Sequence, residues 1–253
     1  MLICEQCNKE QETGKFCGQC GGKLVEKDAG MQHEPADAPQ QTTTAVQQKN
    51  AFQAYFNFIQ NVAKNPTQAL KLDESQFGYG LITAAVFALA YALANYFLAN
   101  KMVKDMLGPL MSSLPFFDIT VPLLFFIVLF LAGAWASVFA ASKLMNSSVS
   151  VKAMLAQFGG LLVPFMLINL AMILFGIAGM AKIMIGLTTI SIVFSIYFLP
   201  MMLSFYNGMK ANSGQKVYFS LGAAALSMLI SYIIVRLAIL DFLEKFDDIY
   251  PWF

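Results

Sequence analysis

Five long runs without a charged side chain follow Glu74 and constrain the fold of this 253-residue chain most strongly. The runs hold between 19 and 29 residues each. About 20 apolar residues, each rising about 1.5 Å along a helix, cross the hydrocarbon core of a bilayer. The pattern therefore predicts an all-α polytopic membrane bundle in residues 73–253, with five spans. A count of four or six spans would require that one of the runs be misread. The predicted transmembrane helices are 77–99, 120–142, 154–178, 183–206 and 217–239.

Four cysteines near the N-terminus form two Cys-x2-Cys pairs, Cys4 with Cys7 and Cys17 with Cys20. Two such pairs supply the four thiolates of the tetrahedral site that Zn²⁺ prefers. Residues 1–26 carry too few bulky apolar side chains for a core, so a bound metal would supply most of their folding free energy. We therefore predict a small zinc-binding domain with one structural zinc. Iron in a rubredoxin-like site and a pair of disulfides are the alternatives.

The second cysteine pair lies in the run Phe16-Cys17-Gly18-Gln19-Cys20-Gly21-Gly22-Lys23-Leu24. This run resembles the second half of the short zinc-ribbon head found at the N-terminus of many bacterial membrane proteins. The first half departs from that pattern only at Asn8, where glycine is commoner. The resemblance implies a structural zinc, and four sulfur ligands would in any case leave no open position for water or substrate. A zinc-responsive or redox-responsive switch is the functional alternative.

Residues 27–50 have the composition of a disordered linker, with few bulky apolar side chains. Such a segment buries too little surface to order itself. The only histidine of the chain, His33, lies in this linker. We expect it to be a solvated linker residue, and a further metal ligand is the alternative.

Residues 51–72 are predicted to form an amphipathic interfacial helix before the first span. Asn65-Pro66 is expected to stop or kink it. We expect its aromatic stripe to lie in the membrane interface. Binding of a partner and packing against the end of the bundle are the alternatives. The apolar side chains that recur at helical spacing are Phe52, Tyr55, Phe56, Ile59, Val62 and Ala63.

Prolines and small residues inside the spans indicate how the bundle is built. Pro164 and Pro200 lie within predicted spans, where proline kinks a helix and frees a backbone carbonyl. A transport path could use these breaks together with Gly159-Gly160 and Asn169, yet ion and proton paths usually need intramembrane charges. Close helix packing is the favoured interpretation. Small residues recur in three spans, at Ala84/Ala88/Ala92, at Ala132/Ala136/Ala140, and at Gly222, Ala223, Ser227 and Ser231.

A second resemblance lies at the start of the third predicted span. From Ser150 to Phe165 the chain reads Ser-Val-Lys-Ala-Met-Leu-Ala-Gln-Phe-Gly-Gly-Leu-Leu-Val-Pro-Phe. This run resembles the bacterial members of the Yip-type five-span membrane family, which have a glycine or tyrosine pair and then a proline early in the third span. The acidic, aromatic cytosolic motif of the eukaryotic members has no counterpart here. The resemblance covers about residues 55–240 and implies a membrane-organising or adaptor protein without catalytic residues.

The sequence carries no catalytic or nucleic-acid-binding signature. It has no glycine-rich phosphate loop and no two-histidine metal motif, and its five uncharged runs contain no acid. We therefore predict that the protein is not an enzyme and has no catalytic residues. Glutamates balance the lysines of the N-terminal head, which argues against nucleic acid as a partner. The expected partners are the lipid bilayer and a protein bound through the zinc ribbon, and a homo-oligomer is left open.

The orientation follows from chemistry more than from charge. With the N-terminus inside, inner lysines outnumber outer cations by six to five, which is a feeble bias. A zinc–thiolate head persists in a reducing compartment, whereas outside the cell it would tend to oxidise. We predict a multi-pass cell-membrane protein with a cytoplasmic N-terminus and the acidic C-terminus outside. The polar, cysteine-rich start predicts no cleavable signal peptide.

Three functions of different classes are compatible with these features. The leading hypothesis is a non-enzymatic membrane scaffold or regulatory adaptor whose cytoplasmic zinc ribbon docks a partner. One alternative is a small transporter or channel component that uses the kinked third and fourth spans. The other is a zinc or thiol-redox sensor, which would release its metal on oxidation.

Overall fold

The computed structural model separates into two units, Met1–Gln48 and Lys49–Phe253. It describes residues 2–4, 10–11, 14, 24–26, 41–108 and 113–249.

The first unit contains three short strands, β1 (Leu2–Cys4), β2 (Glu10–Gln11) and β3 (Leu24–Glu26). They form an antiparallel sheet in the order β2-β1-β3, with Leu2 opposite Gln11 and Cys4 opposite Leu24. Most of the predicted zinc ribbon and of the linker, including His33, lies outside the described residues. The zinc ribbon therefore stays a prediction.

From residue 41 onward the described chain is helical, with short 3-10 turns at Pro66–Lys71 and Glu74–Gln76. A π-turn at Phe194–Phe198 joins two of the helices without a break. The helices are α1 (Gln41–Lys64), α2 (Phe77–Leu107), α3 (Phe116–Leu144), α4 (Val151–Leu161), α5 (Val163–Ile177), α6 (Ala181–Val193), α7 (Leu199–Lys210) and α8 (Lys216–Ile249).

Four of the described helices are long and apolar enough to cross a membrane, at Glu74–Leu107, Phe116–Leu144, Ala181–Lys210 and Lys216–Ala238. Helices α4 and α5 make a fifth crossing if they are counted as one span with a 42° bend. The predicted all-α bundle is thereby confirmed as four to five apolar helices of membrane-spanning length. Many side chains on its outer surface are large and apolar, among them Phe125, Leu174 and Leu229, all more than half exposed.

Helix α1 differs from the predicted segments at its start. It begins at Gln41, so residues 41–50, predicted to belong to the disordered linker, are helical. The physical reason is local propensity, because alanine, glutamine and lysine in the run 45–49 are good helix formers that extend the helix upstream. The helix ends at Lys64, immediately before Asn65-Pro66, where the sequence predicts a stop.

The aromatic stripe of α1 is divided between the core and the surface. Phe58 and Val62 are buried and join the largest core cluster of the bundle. Phe52 and Phe56, by contrast, are 70% and 46% exposed. Packing against the bundle, one of the alternatives raised by the sequence, thus accounts for one side of α1. The interfacial location of the other side stays a prediction.

The bend between α4 and α5 lies at the predicted proline break. Pro164 is in the first turn of α5, where its missing N–H leaves the carbonyl four residues earlier without its helical donor. Leu162 joins the two helices, and its N–H bonds to the carbonyls of Phe158 and Gly159. The chain can therefore turn here while most of its backbone stays hydrogen-bonded.

Glycines bring α2 and α4 into backbone contact. A Cβ atom on Gly80 would lie 2.7 Å from Cα of Ala156, and one on Gly159 would lie 2.1 Å from the carbonyl oxygen of Gly80. Neither distance is sterically allowed, and the opposing atoms belong to backbone that cannot rotate away. Helices in lipid associate through such close contacts, since apolar burial gives little drive there. The Gly159-Gly160 pair is therefore explained by packing.

We expect Gly80→Ala to destabilise the bundle by about 3 kcal/mol, the upper end of the cost of overpacking a core. Gly78→Ala on the same helix is the matched control. A Cβ there would meet nothing within 4 Å, so stability should be unchanged or slightly higher. Unfolding of the purified protein in mixed detergent micelles measures both effects. Equal stabilities of the two variants would contradict the close crossing.

Candidate functional site

The predicted metal ligands lie mostly outside the described residues. Cys4 is the last residue of β1, and only its backbone is described. Cys7, Cys17 and Cys20 fall in segments that are not described. In the part of the chain that is described, no three His, Cys, Asp or Glu side chains come together as a metal site. The four-cysteine zinc site stays a prediction.

A row of buried polar side chains runs along the inner face of the α6–π-turn–α7 helix and the helices opposite it. We call this row the polar seam. Its members are uncharged hydroxyls and amides, each at most 1% exposed. They are Ser142 on α3, Asn169 on α5, Ser191 on α6, Ser195 in the π-turn, Ser204 and Asn207 on α7, and Ser227 on α8.

The centre of the polar seam is organised by Pro200. In a regular helix the N–H of residue 200 would bond to the carbonyl of Ile196, but proline has no N–H. The chain widens into the π-turn immediately before this proline, and the N–H of Leu199 bonds to the carbonyl of Phe194. The hydroxyl of Ser227 on α8 then donates to the freed carbonyl of Ile196 at 2.6 Å. One serine thus repairs the break and holds α8 against the π-turn.

The π-turn also sets which side chains face the interior. Ser195 and Asn207 are twelve residues apart, so a regular helix at about 100° per residue would place them about 120° apart. A π-turn accommodates one extra residue, which removes about 100° and leaves the two side chains about 20° apart. Both are buried, as this realignment requires. The π-turn therefore gives the two halves of the helix a common polar face.

At one end of the polar seam, Asn169 connects three helices. Its amide oxygen accepts a hydrogen bond from the hydroxyl of Ser191 at 2.8 Å. Its amide nitrogen is 3.5 Å from the carbonyl oxygen of Phe87 on α2, at the long limit of a hydrogen bond. Close by, the hydroxyl of Thr188 lies 3.4 Å from the amide oxygen of Asn95. These contacts join α5 and α6 to α2.

At the other end, the amide nitrogen of Asn207 donates to the hydroxyl of Ser142 at 3.1 Å, which joins α7 to α3. Three polar atoms of the polar seam have no hydrogen-bond partner among the described residues: Oγ of Ser195, Oγ of Ser204 and Oδ1 of Asn207. Buried polar atoms are normally hydrogen-bonded, often to an ordered water. Chemically, the polar seam can hold helices together or accept small neutral polar molecules, and it carries no charge for acid–base chemistry.

A second polar contact fixes the segment that leads into the bundle. The amide nitrogen of Gln157, buried on α4, donates to the carbonyl of Leu72 at 3.0 Å. Near it, the hydroxyls of Tyr55 and Thr83 lie 3.1 Å apart. Burial raises the pKa of Tyr55 above its usual range, and the hydrogen bond with Thr83 opposes that rise. Tyr55 therefore stays protonated at neutral pH and can donate in this contact.

Asp73 caps the start of the first membrane-length helix. Its carboxylate accepts hydrogen bonds from the hydroxyl of Ser75 at 2.7 Å and from the N–H of Ser75 at 2.8 Å. Both bonds lower the pKa of Asp73 below its usual range, and the bond from the hydroxyl has the larger effect. The stabilisation from this cap is complete above the unfolded pKa of about 3.9 and is lost as the pH falls through the lower folded pKa.

Sequence reasoning identified part of the polar seam. It singled out Asn169, Pro200 and Ser227, but it did not connect them. The remaining serines and Asn207 were missed. Polar residues at positions 188, 191 and 195 follow helical spacing and could have indicated the inner face. In a regular helix, positions 204 and 207 would lie on a different face from these three. Only the π-turn brings them round to the inner face.

The polar seam can be tested through Ser227 and Pro200. Ser227→Ala leaves the carbonyl of Ile196 unpaired in an apolar interior, so we expect a loss of about 1 kcal/mol of stability. In a Pro200→Ala background, alanine supplies the missing N–H, and Ser227→Ala should cost much less. Unfolding in mixed micelles gives this coupling energy from the double-mutant cycle. Ser231→Ala is the matched control, because Ser231 bonds only to the carbonyl of Ser227 within its own helix. Additive costs would contradict the proline repair.

The chain is similar to two proteins of Bacillus subtilis. The chain is 30% identical over 165 residues to "Uncharacterized protein YvbI" of Bacillus subtilis (strain 168), covering 65% of this chain and 64% of that protein. It is 26% identical over 151 residues to "Uncharacterized protein YebC" of the same organism, covering 59% of this chain and 56% of that protein. The chain thus spans less than two thirds of the length of either relative.

No solved structure matches the chain. The family "Domain of unknown function (DUF6574)" matches residues 45–243, which include α2 to α7, most of α8 and the whole polar seam. The cysteine pairs precede the matched residues, so the zinc-ribbon resemblance stays a prediction. The Yip-type resemblance lies within the matched residues, but the matching family is not a Yip-type family, so it too stays a prediction. The match covers well over half of the chain, which therefore belongs to the DUF6574 family.

Proposed function

We propose that the protein is a non-enzymatic integral membrane protein that acts as a scaffold or regulatory adaptor, with a cytoplasmic zinc ribbon that docks a protein partner. One observation carries this proposal. Polar side chains inside the bundle are used to join helices, as Ser227 does with the carbonyl of Ile196 and Asn207 with Ser142. A bundle built in this way serves as a rigid anchor. The recognition task then falls to the N-terminal unit.

The membrane location rests on the surface of the bundle. Side chains such as Leu174, Leu229 and Phe125 are large, apolar and more than half exposed. Apolar surface on this scale is costly in water and matches the interior of a bilayer. The cytoplasmic location of the N-terminus rests on the four thiolates, which persist as zinc ligands in a reducing compartment.

Backbone pairing in the first unit supports the zinc ribbon. Cys4 is the register partner of Leu24, and Cys20 precedes Leu24 by four residues. The antiparallel pairing of β1 with β3 thus places the backbone of the first cysteine opposite the last residue of the run that resembles the zinc-ribbon head. With a metal bound, four thiolates would close the coordination shell and leave a structural site.

The first test of this proposal is the metal content of the full-length protein. We expect one zinc per chain and four thiols protected from alkylation in the detergent-solubilised protein. Cys4→Ser should lose the zinc and expose the remaining thiols, because three sulfur ligands cannot complete the site. His33→Ala is the matched control and should keep the zinc. Two disulfides and no metal would overturn both the zinc ribbon and the cytoplasmic location.

Partner docking is tested on the same variants in native membranes. Chemical crosslinking of intact cells, followed by purification of the full-length chain, should recover a defined protein with the wild type and with His33→Ala. That protein should be absent with Cys4→Ser at equal membrane abundance. Recovery of the same proteins from all three would contradict docking through the zinc ribbon.

A second candidate function is a path for small neutral polar molecules. The unpartnered atoms of Ser195, Ser204 and Asn207 favour it, because they could hydrogen-bond a passing solute. Stopped-flow light scattering of proteoliposomes would measure permeability to water and to glycerol. A path predicts permeability above that of empty liposomes that falls several-fold in Asn169→Leu and Pro164→Ala. Permeability equal to that of empty liposomes would exclude it and favour the scaffold.

A further inference from the structure

An apolar groove runs along the outside of the bundle between α2, α3 and α4. Its volume is about 310 Å³, at the small end of the range for ligand sites. This is room for about ten groups the size of a water molecule or a methylene. All nine of its lining side chains are apolar or aromatic, among them Ala85 on α2, Ala132 and Trp135 on α3, and Phe158 on α4.

One of these lining side chains carries a polar group. Nε1 of Trp135 is buried and has no hydrogen-bond partner among the described residues. An indole N–H can only donate, so its natural partner is an oxygen acceptor from outside the described residues. Tryptophan is enriched at membrane interfaces because its ring is apolar while its N–H needs such an acceptor.

A cation lies in line with the groove, farther along α3. The ring of Trp135 stacks on Phe139, with centroids 5.6 Å apart. The ammonium of Lys143 lies over the ring of Phe139, at 5.5 Å from its centroid. The step from Trp135 to Lys143 is eight residues, or about 12 Å of helix. An apolar slot, a hydrogen-bond donor and a positive charge thus follow one another along a single helix face.

We propose that this groove binds an anionic glycerophospholipid. About ten methylene groups of one acyl chain fill the slot, an ester oxygen accepts the N–H of Trp135, and the phosphate pairs with Lys143. The order apolar, donor and cation matches the order of groups along such a lipid. The inference rests on the membrane location in the proposed function and is independent of the zinc ribbon.

Trp135 provides a direct readout, because Trp252 is the only other tryptophan and can be changed to phenylalanine. The probe is phosphatidylglycerol with brominated acyl chains, added to the full-length protein in detergent, with brominated phosphatidylcholine for comparison. We expect phosphatidylglycerol to quench Trp135 fluorescence at about fivefold lower concentration. That factor is the effect of one lysine near an anionic lipid surface.

Two pairs of variants separate the groove and the charge from general contact with lipid. Ala132→Phe fills the groove from α3 and should abolish the preferential quenching, as should Ala85→Phe from the opposite wall. Ala136→Phe, an exposed position one turn away that does not line the groove, should leave it intact. Lys143→Gln should remove the preference for phosphatidylglycerol. Lys210→Gln is its matched control, because Lys210 also lies over an aromatic ring, that of Tyr206 at 4.8 Å.

Each other outcome overturns the proposal. Equal quenching by the two lipids in the wild type would exclude recognition of the anionic headgroup. Unchanged quenching in both groove-filling variants would exclude the groove as the site. A dimer in light scattering that Ala132→Phe dissociates and Ala136→Phe does not would identify a second copy as the occupant. Loss of zinc in Cys4→Ser has no bearing on these results, so the failure of one proposal is distinguishable from the failure of the other.

Discussion

The carbonyl of Ile196 is the group on which the arrangement of the second half of the bundle depends. Pro200 cannot supply the N–H that this carbonyl needs. The hydroxyl of Ser227 donates to the carbonyl instead, from α8 at 2.6 Å. The hydrogen bond that is missing within one helix is thereby replaced by a hydrogen bond between two helices. Because the same proline produces the π-turn, it also determines which serines of α6 and α7 face inward.

The two halves of the bundle therefore associate by different physical means. In the first half, Gly80 and Gly159 let the backbones of α2 and α4 touch, and dispersion contacts along that crossing replace a hydrophobic drive. In the second half, hydroxyls and amides connect α7 to α3 and α8 to the π-turn. Asn169 on α5 joins the two, since it contacts Ser191 on α6 and lies at hydrogen-bonding distance from α2.

The elements predicted best from the sequence are those whose formation depends on a single physical effect. Uncharged runs predict the apolar helices because a charge inside a bilayer is costly, and Pro164 predicts the bend between α4 and α5 because it lacks an N–H. The early start of α1 was missed because a polar composition was given more weight than helix propensity. The π-turn could not be predicted because one extra residue in a helix does not change the composition of the segment. Without it, the sequence does not show that Asn207 faces inward. Phe58 was omitted from the predicted stripe although it is buried and belongs to the largest core cluster.

The distribution of charge limits the chemistry and the recognition that each part of the chain can perform. The polar seam contains only hydroxyls and amides, which do not titrate near neutral pH and so cannot relay protons or balance an ion. Cations instead lie at helix ends, where Lys143 stands over Phe139 and Lys210 over Tyr206. Charge-dependent recognition is therefore available at the membrane surface and in the N-terminal unit, while the interior is suited to holding helices in place. We propose recognition at the margins of the protein because the described polar seam is neutral, whereas cations such as Lys143 and Lys210 lie outside it.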